Sequence, residues 1–458
     1  ATGPMFNLFR SLTLSAPAAP AVIEGDSAYV HTRGALLARA EELAAQLTAA
    51  GLRPRDGVAI QLPNSLDFLA TILAASKLDL LVVPIDRDAT ESEVGTILTH
   101  FSLKGLVSRT DVRSRTGAIS TREISDRPAV PSDARLLKLT SGSTGQPKGI
   151  AVSEANLIAD CTNICSSMGI LPADLNLGAI PFSHSYGFSN LVTPLLVQGT
   201  PLVVSNDYLP QSIIELCNRF GCTVAPLIPM VYDHLTTVPR GDGEFTMLRT
   251  FISAGAPLPP QTSRRFRERF GLDVHSFYGC SECGGITYDR AGAAVERGTV
   301  GPALDNVTLT GNGTRLRVRS ASVALGYLMD ATTFVPFDDS TFQTDDLIEL
   351  RDGEVALTGR ASDLINIAGK KVNPREVEAV IGQIEGVRQV KVYGAPAGAR
   401  GEVVAAAIVG TPEITREQVR EFCRERLSLH KVPRIVKLIE AIPLDERGKV
   451  KRATLALL

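Results

Sequence analysis

The stretch LTSGSTGQPKG, Leu139 to Gly149, puts three glycines, four hydroxyl side chains and one lysine into eleven positions. Neither a helix nor a strand interior favours that mixture, because glycine frees the backbone while Ser and Thr compete for its hydrogen bonds. The run reads as a loop. Backbone N–H groups, hydroxyls and a cation gathered in one loop form a cradle for an anion such as phosphate. Its spacing rules out the commonest phosphate sites. A Walker loop needs GxxxxGK[ST] with the lysine opening a helix, whereas Lys148 stands between Pro147 and Gly149. GNGTRL, from Gly311, does not complete the GxGxxG of a dinucleotide fold.

On both sides of the loop the chain alternates between helical and strand-like segments. Upstream, helical periodicity over ALLARAEELAAQLTAAG (35–51), SLDFLATILAASK (65–77) and ESEVGTILTHF (91–101) is separated by the apolar runs VAIQL, LLVVPI and GLVS. Downstream, helices are expected over 154–169, 211–221 and 259–271, with strands at LGAIPF, TVAPLIP, MLRTFISAG and VHSFYG. Such alternation predicts an α/β protein with parallel sheets flanked by helices. From about 291 to 358 the pattern shifts to short hairpins with Asn, Asp and Gly turns, a β-rich lobe. An α+β unit then begins afresh at Ala361. The expected organisation is a large domain over 5–360 and a small one over 361–458, with the leading ATGP set aside as a remnant outside the fold.

Composition narrows the function classes. At 458 residues the chain exceeds a single core, and a net charge of −2 with 21% charged residues fits neither a nucleic-acid binder nor a disordered tail. No apolar run is long enough for a membrane span, and no basic-then-apolar leader opens the chain, so the cytoplasm is the expected compartment. Seven cysteines do not make a disulfide framework. CSEC, Cys280 to Cys283, has CxxC spacing but lacks the two further ligands of a zinc site and a thioredoxin-like context. The six histidines form no HxxxH pair. After Arg360, seventeen Lys and Arg face twelve Asp and Glu, a net of +5 against −7 for the remainder. That basic unit suits a phosphorylated or acidic partner.

Taken with PFSHSYG, SFYGCSEC, FQTDDLIEL, LTGRASDLINIAGKKVNPREVE and PLDERGKVKR, in order from Leu137 to Arg452, the glycine-rich loop resembles the adenylate-forming superfamily. That family holds acyl- and aryl-CoA synthetases, luciferases and nonribosomal-peptide adenylation domains. The resemblance implies a carboxylate activated by ATP as acyl-AMP, then transferred to a thiol after the small domain turns. Thr140, Ser141, Gly142, Ser143, Thr144, Gly145 and Lys148 would hold the phosphates. Tyr278 would lie on adenine, Ser281 near the phosphates, and Glu282 with Thr144 on Mg²⁺. Asp346 and Arg360 would reach the ribose, Lys449 rather than Lys451 would offset charge at the reacting centre, and Gly369 would pass the thiol's pantetheine arm. Ser362 falls at the hinge. Departures from the family pattern are Asp345, where Gly is usual, Ser362, where Asp or Lys is commoner, and Cys280 at a variable position.

The acid pocket implied by the resemblance takes His184, Ser185, Ala254, Gly255, Ala256, Tyr278 and Gly279, with Phe182, Tyr186, Phe188, Pro229 and Met230 as apolar neighbours. His184 would stand at the pocket's edge and touch the reacting acid. No carboxylate lies between Pro181 and Leu202 to pair with an amino group, so an aryl or fatty acid is expected before an amino acid. The acceptor would be coenzyme A or the phosphopantetheine of an acyl carrier protein supplied in trans. Two alternatives remain: a stand-alone amino-acid adenylation enzyme, and a non-catalytic adenylate-binding protein of the same fold.

Overall fold

Both flanks of the glycine-rich stretch are β-strands, Ala134–Ser141 and Pro147–Ser153, paired antiparallel with Thr140 opposite Lys148. The computed structural model describes residues 2–109, 116–141, 147–239, 244–367, 370–396, 402–427 and 429–443. Residues 142–146, with the expected phosphate ligands Gly142, Ser143, Thr144 and Gly145, lie outside them, as do Gly369 and Lys449 and the side chain of Ser141.

The chain divides into two units. The first comprises 1–309, 317–342 and 351–355, and the second 310–316, 343–350 and 356–458. A single cut after Arg360 therefore does not describe the clustering, since the strand segments holding Thr344 to Asp346 group with the C-terminal unit.

Two eight-stranded sheets organise the first unit. In one, Val274–Cys280, Thr250–Ser253, Val224–Leu227, Asn176–Gly178, Leu202–Val204 and Pro20–Glu24 run parallel in that spatial order, with an antiparallel strand at each edge. In the other, the glycine-rich hairpin joins the parallel strands Leu81–Pro84, Gly57–Gln61 and Gly105–Arg109. The expected α/β architecture with mixed sheets is what the chain adopts. Helix starts follow local chemistry. Thr90 and Ser153 form reciprocal capping boxes with Glu93 and Asn156, and Ser65 caps Leu66–Leu78.

Two stretches depart from expectation. Gly3 and Pro4 are part of the fold: Pro4 opens the helix Pro4–Ser15, Gly3 donates its N–H to Ser76 O at 2.9 Å, and Met5 N–H reaches the buried Glu154 carboxylate at 2.7 Å. The second is an uninterrupted helical run from Ser185 to Gln198, which the sequence pattern does not announce. Its middle, Phe188–Val192, is a widened π-helical turn just before Pro194, which has no N–H to give a regular turn. Gly187 is required there, since a Cβ would fall 2.1 Å from Pro181 O.

In the second unit, Val387–Pro396 and Glu402–Gly410 pair antiparallel and Ile435–Leu438 joins in parallel. Helices Pro374–Ile381 and Arg416–Arg424 supply Val377, Ile381, Val419 and Cys423 to its own apolar core.

One buried side chain fixes the approach to the expected acid pocket. Asn64, 3% exposed, donates to Gly178 O at 3.0 Å and Ile180 O at 2.8 Å, and its Oδ1 accepts from Phe182 N–H at 2.8 Å. This ties the segment leading to His184 onto the loop before Leu66–Leu78. Asn64→Leu leaves Ile180 O and the Phe182 N–H unpaired, while Gly178 O keeps the Ser205 N–H at 3.1 Å, so urea denaturation should show a loss of roughly 2–6 kcal/mol, at about 1–3 kcal/mol per orphaned buried group.

Candidate active site

The turn between Val274–Cys280 and Gly284–Tyr288 carries Ser281 and Glu282, with Cys280 opposite Gly284 across the hairpin. Strands of this sheet end here, where α/β sheets commonly receive ligands. Gly279 admits no side chain: a Cβ would lie 2.5 Å from Gly284 O. Behind the turn sits the buried carboxylate of Asp160. Its Oδ1 accepts from Gly285 N–H at 2.8 Å and its Oδ2 from the Ser189 hydroxyl at 2.6 Å. Burial pushes this carboxyl up, while the nearby Lys138 charge and the two hydrogen bonds work the other way. Gly284, at φ +74°, presses against Asp160 so closely that a Cβ would meet Oδ1 at 2.2 Å.

The same turn meets the glycine-rich hairpin through Tyr327, a residue that no sequence motif singled out. The strand Gly326–Leu328 pairs with Pro147–Ser153. Tyr327 places its ring 3.9 Å below Lys148 Nζ and donates its hydroxyl to Glu282 Oε1 at 2.8 Å. Burial, then the Glu282 carboxylate, push this phenol far up, so it remains a donor. A cation–π contact and a hydrogen bond thus align the expected phosphate lysine with the expected magnesium carboxylate. Magnesium takes one or two carboxylates beside phosphate oxygens and water, and Glu282 with one oxygen fixed by Tyr327 fits that requirement. Among the described residues, no group of three metal-ligating side chains lies together.

The other expected residues of this unit are placed as follows. Thr140 and Tyr278 are half-buried. Ser281 Oγ lies 2.7 Å from Ser185 Oγ, so Ser185 is engaged by the hairpin. Ala254 is buried, with Gly255 (φ +85°) and Ala256 exposed beside it. His184 is exposed, its Nε2 3.8 Å from Asp86 Oδ2, so a carboxylate absent from the 181–202 segment does reach its neighbourhood from elsewhere. Phe182 and Phe188 are in the core, 1% and 2% exposed. The half-buried Cys280 thiol is pushed well up, first by its hydrogen bond with Cys283 and then by desolvation, which disfavours a reactive thiolate.

Within the second unit, Arg360 Nε donates to Asp346 Oδ1 at 3.1 Å. Asp345 accepts the N–H of Ser362 at 3.2 Å and also its hydroxyl. Two of the three residues that depart from the family pattern, Asp345 and Ser362, are therefore partners.

Signals for the missed residues differ. Asp160 stands on the buried stripe Leu157, Cys161, Ile164 of its helix, where an acid is out of pattern. Asn64 and Tyr327 act only through contacts distant in sequence. Tyr327→Phe should keep the Lys148 contact and release Glu282. Calorimetry should then show ATP affinity in Mg²⁺ lowered about tenfold or more, the scale of a hydrogen bond to a charged group, with little change in EDTA.

Comparison with known proteins agrees with this arrangement. Residues 12–328 match the model of the AMP-binding enzyme family, and 376–449 that of the AMP-binding enzyme C-terminal domain. The sulfoacetate–CoA ligase of Cupriavidus necator is 27% identical, covering 96% of this chain and 94% of its own. The feruloyl-CoA synthase of an Amycolatopsis species is also 27% identical, over 95% and 94%. The long-chain-fatty-acid–CoA ligase FadD13 of Mycobacterium tuberculosis is 27% identical, over 98% and 97%. Among solved structures, ATP-bound MatB from Rhodopseudomonas palustris superposes with a TM-score of 0.83 at 26% identity, covering 99% of this chain and 98% of that one. With more than half its length matched by the family model, the chain belongs to the AMP-binding enzyme family.

Proposed function

We propose that this chain is an AMP-forming carboxylic acid–thiol ligase that activates an aryl or fatty acid with ATP and passes the acyl group to coenzyme A. The observation that carries the reading is the Lys148–Tyr327–Glu282 alignment at the strand ends of the larger unit. A phosphate-binding cation and a hard-oxygen carboxylate held in one array suit a polyphosphate substrate. Relatives aligned over nearly the whole chain and named as CoA ligases support the same chemistry, and the variety of acids in their names leaves this chain's acid to its own pocket.

The acid's carboxylate attacks the α-phosphorus, and the new O–P bond forms as the bond to pyrophosphate breaks. Thr140, Ser141, Gly142, Ser143, Thr144, Gly145 and Lys148 hold the phosphates. Ser281 lies near them, and Tyr278 rests on adenine. Glu282 and Thr144 would hold Mg²⁺, which would supply charge neutralisation for the phosphates. Asp346 and Arg360 take the ribose. Lys449 offsets charge between the two reacting anions, and Ala254, Gly255, Ala256 and Gly279 give the acid close backbone walls. The domain of 361–458 then turns at Ser362, Gly369 lets the pantetheine arm pass, and the thiol displaces AMP from the acyl carbon. Coenzyme A fits the basic C-terminal domain better than a neutral thiol.

The test is pyrophosphate release with ATP and Mg²⁺ across benzoates, cinnamates, straight-chain acids and amino acids, first without thiol and then with coenzyme A or a pantetheinylated carrier protein. One aryl or aliphatic class should respond, and coenzyme A should yield the thioester. A response confined to amino acids would favour the amino-acid adenylation alternative, for which Asp86 beside His184 supplies a carboxylate. Lys449→Ala should lose most adenylation and still transfer from supplied acyl-AMP. Gly369→Trp should spare adenylation and block the thioester step. Silence across the panel with ATP bound would leave a nucleotide-binding protein instead.

A further inference from the structure

Tyr186 is one of the neighbours that the family resemblance gives the acid pocket, and it directly follows His184 and Ser185 in the sequence. Its hydroxyl reaches two backbone carbonyls at the carboxyl ends of adjacent parallel strands, Leu227 O at 3.2 Å and Ile252 O at 3.1 Å. Leu227 O also accepts from Ala254 N–H at 3.4 Å, so the tether is shared with the expected acid wall. On the side of the hairpin, the Tyr186 ring centre is 6.0 Å from that of Phe277. The crevice at these strand ends, the usual ligand position in such sheets, is thus crossed by a phenol.

What lies deeper is already filled. Tyr232, fully buried, donates to Ala225 O at 3.1 Å and to the same Ile252 O at 2.7 Å. Its ring packs edge-on against Phe251 and Phe266, centroids 6.2 and 5.3 Å away. One tyrosine stands over the other on a shared carbonyl, with a close-packed aromatic cluster beneath. Either phenol gives up its hydrogen bonds if it swings aside, and the lower one, Tyr232, would also have to displace packed rings to make room.

Building on the ligase reading, we infer that Tyr186 closes the acid pocket and makes this an enzyme for compact carboxylic acids, short-chain or single-ring, rather than long-chain ones. The bottom of the pocket is a side chain on the Ser185–Gln198 helical run, and its hydroxyl fixes the ring's orientation. Residue 186 therefore sets acid length, and AMP binding serves as the control because Ser185 and Phe277 link this position to the nucleotide side.

The experiment is a binding ladder of non-reactive acyl-sulfamoyl adenosines (acetyl, butyryl, benzoyl, octanoyl, decanoyl) measured by calorimetry on the full chain, with AMP as the reference ligand. The unaltered protein should bind the butyryl or benzoyl compound at least about tenfold tighter than the decanoyl one, in keeping with the 10- to 200-fold worth of a single methylene against a closed wall. Tyr186→Ala should shift that ratio toward decanoyl by about tenfold or more. Tyr186→Phe, which keeps the ring and loses the tether, should shift it by a smaller factor. If Tyr186→Ala no longer binds AMP, Tyr186→Leu and Tyr186→Phe decide by the same criterion. Equal binding of butyryl and decanoyl compounds by the unaltered protein, or an unchanged ladder in variants that bind AMP normally, overturns the inference. A ladder that behaves as expected while no matching free acid releases pyrophosphate overturns the ligase reading and leaves the pocket length standing.

Discussion

A carboxylate taken out of water must have each oxygen hydrogen-bonded, and Asp160 meets that condition by holding two separate elements. One oxygen takes the N–H of Gly285 on the Glu282 hairpin and the other takes the Ser189 hydroxyl on the Ser185–Gln198 run. Its own helix, Glu154–Met168, starts directly after the strand that leaves the glycine-rich stretch. Three chain segments that carry the proposed phosphate, metal and acid residues are therefore indexed to one buried group. Lys138, nearly buried on the strand entering that stretch, offsets the charge from the same side. The arrangement costs desolvation energy and returns position, which a site for two anions needs more than it needs flexibility.

The parts of the fold that could be read from sequence are those in which local chemistry and burial agree. Helices Arg33–Ala49, Leu66–Leu78 and Glu91–His100 show periodicity and caps together, and the strands between them are short apolar runs. The Ser185–Gln198 run was illegible because Gly187 and Pro194 break its pattern, although Gly187 is there for a close carbonyl and Pro194 follows a widened turn. The leading ATGP reads as lying outside the fold, yet Gly3 and the first turn of Pro4–Ser15 spend their N–H groups on Ser76 and Glu154. Of the site, the residues within compact motifs, Lys148, Ser281 and Glu282, were visible. Tyr327 and Asn64 were not, because nothing in their own neighbourhood in sequence expresses a contact made more than a hundred residues away or, for Tyr327, with a hairpin turn 45 residues upstream.

The two ends of the site differ in what they permit. Around Glu282 and Gly279 the backbone approaches within van der Waals limits, and substituting either glycine, 279 or 284, would force main chain or Asp160 to move. Around Tyr186 the constraint is a side chain leaning on carbonyls, which another side chain could replace without disturbing the sheet. On the proposed reading, the chemistry rests on the backbone of one half and substrate choice on side chains of the other, a division that would let related chains share a reaction across unlike acids.

The contact between Asp345 and Ser362 has a bearing on descent. Each residue alone is a departure from the family pattern, and each is explained by the other: a carboxylate in place of glycine finds an N–H and a hydroxyl to satisfy it, and a serine in place of a charged residue finds an acceptor. Changing either residue alone would take this partner from the other, so descent through single changes passes through a chain in which the contact is missing.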